Sequence, residues 1–329
     1  FVRVLFIFLL VIFPLGQIGR VELGGGVNIL LNDVIVFLTV VCWLAIRIKH
    51  KTFHRNILTK PILIFAAVAL FSLLLRIGSL SPPQLFVSSL YFVRWISYAG
   101  LYFVVCDFDK VVKQRIPHWL VGSSMVLVAV GFVQYFLYPN IRNLYYAGWD
   151  DHLYRMVSSF LDPNFFGGIL VLAFLSATSL LFSAKPTKQQ QYLLFCMMIA
   201  SFISLLLSYS RGSFFSFIVG ACVLLLLMRK KKLFFLIASL FAIGLILLPK
   251  DLASEGVELL RTASIKARAE SVQRALVIFK DHPLFGAGFN SYRYAQEAKG
   301  VSTSNVWGDI HSAAGTDNSF LFVFQVVYF

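Results

Sequence analysis

Apolar runs of membrane length alternate along the chain with short polar segments, and this alternation is its dominant feature. A bilayer core of about 30 Å is crossed by a helix of about 20 residues. Such a run must be helical, because lipid offers no partners to backbone N–H and C=O groups. We therefore predict an all-α, polytopic membrane helix bundle that forms one membrane domain. The predicted spans lie near residues 1–16, 27–46, 61–76, 84–106, 116–138, 165–184, 192–209, 213–228, 233–249 and 318–329.

The composition supports a membrane protein. Of the 329 residues, 59% are hydrophobic and 13% are charged, with a mean hydropathy of +0.80. Soluble domains carry only about half apolar residues. The chain opens with Phe1 and stops at Phe329, inside the tenth predicted span, so we expect it to be a fragment of a protein with more spans.

The net charge of +14 comes from basic residues whose distribution among the loops indicates the orientation of the chain in the membrane. Lys and Arg concentrate in the loops after predicted spans two, four, six and eight, and no single basic patch with interleaved aromatics indicates nucleic-acid binding. The positive-inside rule then predicts a cytoplasmic amino terminus. Segments 139–164, 210–212 and 250–317 are accordingly predicted to face the outside.

The long segment 250–317 is the main polar interruption. Its residues 257–280 have the spacing of an amphipathic helix, on which Arg261, Ser264, Arg268 and Ser271 fall near one face. Such a helix either lies flat on the bilayer as an anchor or docks a diphosphate through its guanidinium groups. Residues 283–288, which include two glycines, are predicted to end this helix in a turn.

Three stretches on the predicted outer face resemble the O-antigen ligase and polymerase superfamily of lipid-linked glycan transferases. The first runs from Arg155 to Asp162-Pro163-Asn164, and the second is Ser208-Tyr209-Ser210-Arg211-Gly212. The third comprises Ser264-Ile265, Arg268, Ala275-Leu276 and His282-Pro283-Leu284-Phe285-Gly286-Ala287-Gly288-Phe289-Asn290.

The family continues with a span that begins H-N-S, whereas Asp317 precedes Asn318 in this chain. The resemblance therefore favours an O-antigen or exopolysaccharide polymerase in the bacterial plasma (inner) membrane, working on the extracytoplasmic side. The alternative within the family is an O-antigen ligase that acts on a lipid or protein acceptor. A polytopic transporter or flippase is the alternative of another class, although no internal repeat is evident.

The resemblance also implies the site residues. Arg155, Arg211 and Arg268 would bind the diphosphate of a polyprenyl-linked donor, and Asp317, or failing that His311, would take the proton of the acceptor hydroxyl. Secondary candidates are Arg261, Ser210 and Asn318. The expected reaction is inverting and needs no metal or cofactor, and the expected partners are the lipid-linked oligosaccharide, an acceptor glycan or glycolipid, and membrane lipids.

Several of these residues have simpler interpretations. Arg155 could be a solvated loop charge beside Asp150 or Asp151, Arg211 could snorkel to the headgroups, and Asp317 could cap the tenth span. Asp162 is predicted to cap span six, with Pro163 in its first turn. Arg94 in span four needs a partner, for which Asp33 is a candidate. The four cysteines are predicted to be packing residues.

Overall fold

The computed structural model describes residues 1–23, 27–52, 56–141, 144, 152–183, 186–247, 272–273 and 275–300. Within these ranges the protein is an all-α bundle of apolar helices, as predicted. The helices are α1 (Val2–Ile12), α2 (Leu31–His50), α3 (Thr59–Leu74), α4 (Pro82–Asp107), α5 (Lys110–Leu137), α6 (Pro163–Ser183), α7 (Lys188–Ser208), α8 (Arg211–Leu227), α9 (Lys231–Leu247) and α10 (Tyr292–Ala298). Short 3₁₀ helices cover Phe13–Gly19 and Ser158–Phe160.

Parts of the sequence prediction lie outside the described residues. These parts are the tenth span, most of segment 250–317, and the site candidates Arg261, Arg268, His311, Asp317 and Asn318. Of the predicted amphipathic helix over 257–280, residues 272–273 and 275–280 are described and are helical.

A two-stranded antiparallel hairpin precedes α2. Its strands are β1 (Arg20–Glu22) and β2 (Asn28–Leu30), with Val21 opposite Ile29. The prediction that span two begins at residue 27 was therefore wrong by four residues. Asp33 accepts a hydrogen bond from the N–H of Leu30 at 2.9 Å, which starts the helix at Leu31 instead.

The helices have the character of membrane spans. Six of those described, including the run Val2–Gly19, are long and apolar enough to cross a membrane, and three are shorter apolar helices. Large apolar side chains point away from the protein along them: Leu172 is 66% exposed and Phe215 is 73% exposed. In a water-soluble protein such surfaces would be a liability, whereas lipid covers them at no cost. The protein is a multi-pass membrane protein.

The chain divides into two compact units. The second unit, residues 7–19 and 109–260, contains the larger hydrophobic core, formed chiefly by helices α5 to α9. Phe166, Phe217 and Leu127 are fully buried there. The rings of Phe174 and Phe217 meet edge to face with centroids 5.0 Å apart.

The first unit consists of residues 1–6 and 20–108 with the described part of 261–329. In its core, Phe92 of α4 packs edge to face on Phe289, with ring centroids 5.6 Å apart. Arg94 donates from Nε to Asp33 Oδ1 at 2.9 Å and from Nη2 to Asp33 Oδ2, which confirms the predicted pair. The four cysteines form no disulfide with one another and are half-buried.

Candidate functional site

The turn between α7 and α8, in the second unit, presents Arg211. Helix α7 ends at Ser208, and Tyr209 takes a left-handed conformation with φ of 50°. Ser210 then caps α8, because its hydroxyl accepts a hydrogen bond from the N–H of Ser213 at 3.3 Å. Arg211, half-buried, is consequently the first residue of α8.

Arg155 binds this turn directly. Its side chain is only 3% exposed, and it donates from Nε to the Ser208 carbonyl at 3.0 Å and from Nη2 to the Tyr209 carbonyl at 3.3 Å. The last carbonyls of a helix have no partner within it and carry a partial negative charge, which a guanidinium compensates. The interpretation of Arg155 as a solvated loop charge was therefore wrong.

Gln134, near the end of α5, binds the backbone of the segment that contains Arg155. Its Nε2 donates to the Arg155 carbonyl at 3.3 Å, and its Oε1 accepts from the N–H groups of Val157 at 2.9 Å and Ser158 at 3.3 Å. The sequence analysis missed Gln134. The sequence could have indicated it, because a polar side chain inside an apolar span costs free energy unless it has hydrogen-bond partners.

The start of α6 completes the arrangement. Asp162 Oδ1 accepts from the N–H groups of Asn164 at 2.6 Å and Phe165 at 3.1 Å, which confirms the predicted cap. Asn164 Oδ1 then accepts from Ser210 Oγ at 2.8 Å, and Ser213 Oγ donates to the Asn164 carbonyl at 3.3 Å. The first and second motifs thus meet, and the amino-terminal ends of α6 and α8 lie side by side.

The electrostatics of this junction favour an anion. Helix amino termini carry a partial positive charge; at α6 the Asp162 carboxylate already compensates it, whereas the first turn of α8 contains no acidic residue. Arg211 adds a full charge, and apart from its chain neighbours and the α8 backbone no described atom lies within 4 Å of the position a Cβ would take on Gly212. Burial raises the pKa of Tyr209 to about 12, so this phenol stays neutral and cannot oppose an anion. Ser210, one of the secondary candidates, is buried and serves as cap and helix contact.

Unusual backbone conformations gather at the same place. Among non-glycine residues with positive φ, Tyr154, Ser158, Leu161 and Tyr209 belong to or adjoin the first two motifs, with φ between 50° and 56°. Such conformations cost free energy and persist only where the surroundings enforce them. Hydrogen bonds hold two of these residues: Arg155 donates to the Tyr209 carbonyl, and Gln134 accepts from the N–H of Ser158.

The described part of the third motif, residues 275–276 and 282–290, lies in the first unit and includes the predicted turn. Gly286 and Gly288 have φ of 68° and 105°, values that favour glycine. Arg76 Nη2 donates to the Gly286 carbonyl, and Ser72 Oγ donates to the Phe285 carbonyl. This turn is therefore fixed to the end of α3.

His282 at the start of this turn stays uncharged near neutral pH. Burial lowers its pKa below the ordinary value of 6.5, and the nearby Arg76 charge lowers it further. The neighbouring Asp281 is exposed and pairs with Lys299, whose hydrogen bond lowers the carboxyl pKa. Within the described ranges, no three His, Cys, Asp or Glu side chains gather as a metal site.

Comparison with known proteins agrees with the motifs. Residues 196–324 match the O-antigen ligase family, Wzy_C. This match covers the second and third motifs and confirms the resemblance to the O-antigen ligase and polymerase superfamily. It indicates O-antigen ligase-type glycan transfer and polysaccharide biosynthesis at a membrane. No curated protein and no solved structure matches the chain significantly.

Proposed function

We propose that this protein transfers a glycan from a polyprenyl-diphosphate-linked donor to the hydroxyl of an acceptor sugar, as an O-antigen or exopolysaccharide polymerase. The reaction takes place at the extracytoplasmic face of the bacterial inner membrane. The observation that carries the proposal is the pair of hydrogen bonds from Arg155 to the carbonyls of Ser208 and Tyr209. They join two separated family motifs directly beside Arg211.

The chemistry needs a stabilised leaving group. The acceptor oxygen attacks the anomeric carbon, the bond from that carbon to the diphosphate oxygen breaks, and the electron pair leaves with the polyprenyl diphosphate. The acceptor proton passes to Asp317, or failing that to His311. Attack opposite the leaving group inverts the anomeric centre.

Arg211 is proposed to contact the diphosphate. A guanidinium donates two parallel hydrogen bonds to phosphate oxygens, and its charge attracts an anion more strongly in a water-poor site than in bulk water. The amino terminus of α8 adds positive potential. Arg155 is assigned a positioning role, because its donors hold the turn from which Arg211 projects, and it adds charge nearby. Arg268 and the secondary candidates Arg261 and Asn318 are proposed to complete the site.

Ligase activity is the second candidate, and the family description favours it. Asp317 in place of the family histidine favours polymerase. Supplying lipid-linked oligosaccharide together with a separate acceptor distinguishes them: a ladder of products indicates a polymerase, and a single transfer indicates a ligase.

The test of the site is elongation of a lipid-linked oligosaccharide by the purified full-length protein. Arg211→Ala is expected to lower the rate about 100-fold, the loss typical of one electrostatic contact to a leaving group or oxyanion. Arg211→Lys should also lower the elongation rate if the contact is bidentate, because an ammonium group lacks the forked donor geometry of a guanidinium. Arg115→Ala, an exposed arginine of α5, is the matched control and should leave the rate unchanged. If Arg211→Ala and Arg268→Ala both elongate the oligosaccharide at the wild-type rate, the proposal that these arginines bind the donor diphosphate is refuted.

A further inference from the structure

Gln134 of α5 spends the full hydrogen-bonding capacity of its side chain on backbone groups. Its Nε2 atom donates to the carbonyls of Tyr138 and Arg155, at 3.1 Å and 3.3 Å. Its Oε1 atom accepts from the N–H groups of Val157 and Ser158, at 2.9 Å and 3.3 Å. This one carboxamide therefore fixes the backbone conformation between Arg155 and Ser158.

The backbone that Gln134 binds is buried and largely irregular. Met156 and Val157 are fully buried, and Ser158 has a φ of 55°. Buried N–H groups outside regular helices and strands need acceptors from side chains, because water is excluded there. Among the described residues, the N–H groups of Val157 and Ser158 find theirs in Gln134. Loss of this side chain should therefore let the segment change its conformation.

Arg155 transmits the position of this segment to the turn between α7 and α8. Gln134 binds its backbone carbonyl, and its guanidinium donates to the carbonyls of Ser208 and Tyr209. The bond to Tyr209 is already 3.3 Å long, so a small displacement of the Arg155 backbone is enough to break it. Tyr209 lies two residues before Arg211, the first residue of α8.

We infer that Gln134 is a positioning residue of the proposed transfer site. It holds Arg155, and through Arg155 it fixes the turn that places Arg211 against the donor diphosphate. None of its hydrogen bonds within the described part of the chain reaches this turn, so the effect passes through Arg155. The consequence for catalysis rests on the proposed function, whereas the effect on the turn does not.

The first test measures elongation of a lipid-linked oligosaccharide by the purified full-length protein, below the unfolding temperature of each variant. Gln134→Met keeps a similar volume and removes the polar contacts. It should lower kcat about tenfold, part of the loss that a displacement of about 1 Å can cause. The change in KM for the donor should be smaller, because Arg211 acts mainly on charge that develops as the diphosphate leaves.

Two comparisons separate positioning from a general loss of stability. Gln134→Met combined with Arg155→Met should be no slower than the slower single variant, because the two residues act in series. Ser123→Ala is the matched control: it removes a hydrogen bond of 2.8 Å from α5 to the Leu10 carbonyl and should keep the wild-type kcat. A merely structural role of Gln134 would lower the unfolding temperature and leave the kcat of the folded protein unchanged.

The second test does not depend on activity. Hydrogen–deuterium exchange of the full-length protein in detergent, read by mass spectrometry, follows the N–H groups of Tyr209, Ser210 and Ser213, which are hydrogen-bonded within the turn. Gln134→Met should raise their exchange about tenfold, the effect of losing one hydrogen bond that holds the turn closed. Ser123→Ala should not change it.

Gln134→Glu replaces Gln134→Met in both tests if the latter fails to fold, because a carboxylate has the same shape but cannot donate to the Arg155 carbonyl. Unchanged exchange in the turn overturns the inference, whether or not the protein elongates glycans. Raised exchange with a wild-type kcat overturns it as well, and so do independent losses that multiply in the double variant. Raised exchange with a lowered kcat and no further loss in the double variant supports it. If the wild-type protein transfers no glycan, the proposed function fails, and the exchange measurement alone decides whether Gln134 fixes the turn.

Discussion

Replacing Gly167 by alanine should displace Arg211 without altering any charge. Gly167 lies in α6, and a Cβ built there would meet Ser213 Oγ at 2.3 Å and Ser213 Cβ at 2.7 Å. Real Cβ atoms do not approach other atoms so closely, so Ser213 must move. Ser213 is in the first turn of α8 and donates to the Asn164 carbonyl. The new methyl group therefore pushes the start of α8 away from α6.

The adjacent residue supplies the control. A Cβ on Gly168 meets nothing within 4 Å. Both substitutions gain the helix preference of alanine over glycine, about 1 kcal/mol, and this term cancels in a comparison of the two variants. The difference between them is then the overpacking cost, about 1–3 kcal/mol. At about 2–4 °C per kcal/mol, Gly167→Ala should unfold roughly 2–12 °C below Gly168→Ala.

Two assays are needed, because the argument joins stability to function. Thermal unfolding in detergent gives the stability difference, and elongation of a lipid-linked oligosaccharide below both unfolding temperatures gives the effect on Arg211. Gly168→Ala should behave like wild type in both. If Gly167→Ala matches Gly168→Ala in unfolding temperature and elongation rate, the close contact between α6 and α8 does not position Arg211.

Two further predictions concern the first unit. Asp33→Asn leaves the partly buried charge of Arg94 without its partner and should lower the free energy of unfolding by about 1–3 kcal/mol. Adding Arg94→Gln to this variant should recover part of the loss. Denaturant titration of the single and double variants measures both effects, and additive losses would contradict the prediction. The folded-state pKa of His282 is below its unfolded value, so its contribution to stability is full above about pH 6.5 and is lost as the pH falls toward the folded value. Unfolding temperatures between pH 7.5 and 5.5 should therefore fall more for wild type than for His282→Gln, and parallel pH profiles would refute this.

The helices could be predicted because their cause is local. A run of about 20 apolar residues has one stable form in lipid, so span positions followed from composition alone. Asp162 was identifiable as a cap because capping depends only on residues two and three positions later. The errors occurred at helix ends: α5 begins at Lys110, six residues before the predicted span, because Asp109 caps it by accepting from the N–H of Val112 at 2.7 Å.

The sequence by itself determined an all-α membrane protein and three motifs. Hydropathy and helix capping act over one turn or one span, and neighbouring residues encode them completely. Only the tertiary structure decided what the arginines do: it buries Arg155 against the carbonyls of Ser208 and Tyr209 and places Arg211 at the start of α8. The physical reason is that the cost and use of a buried charge depend on which acceptors lie around it. Those acceptors come from helices far apart in the chain.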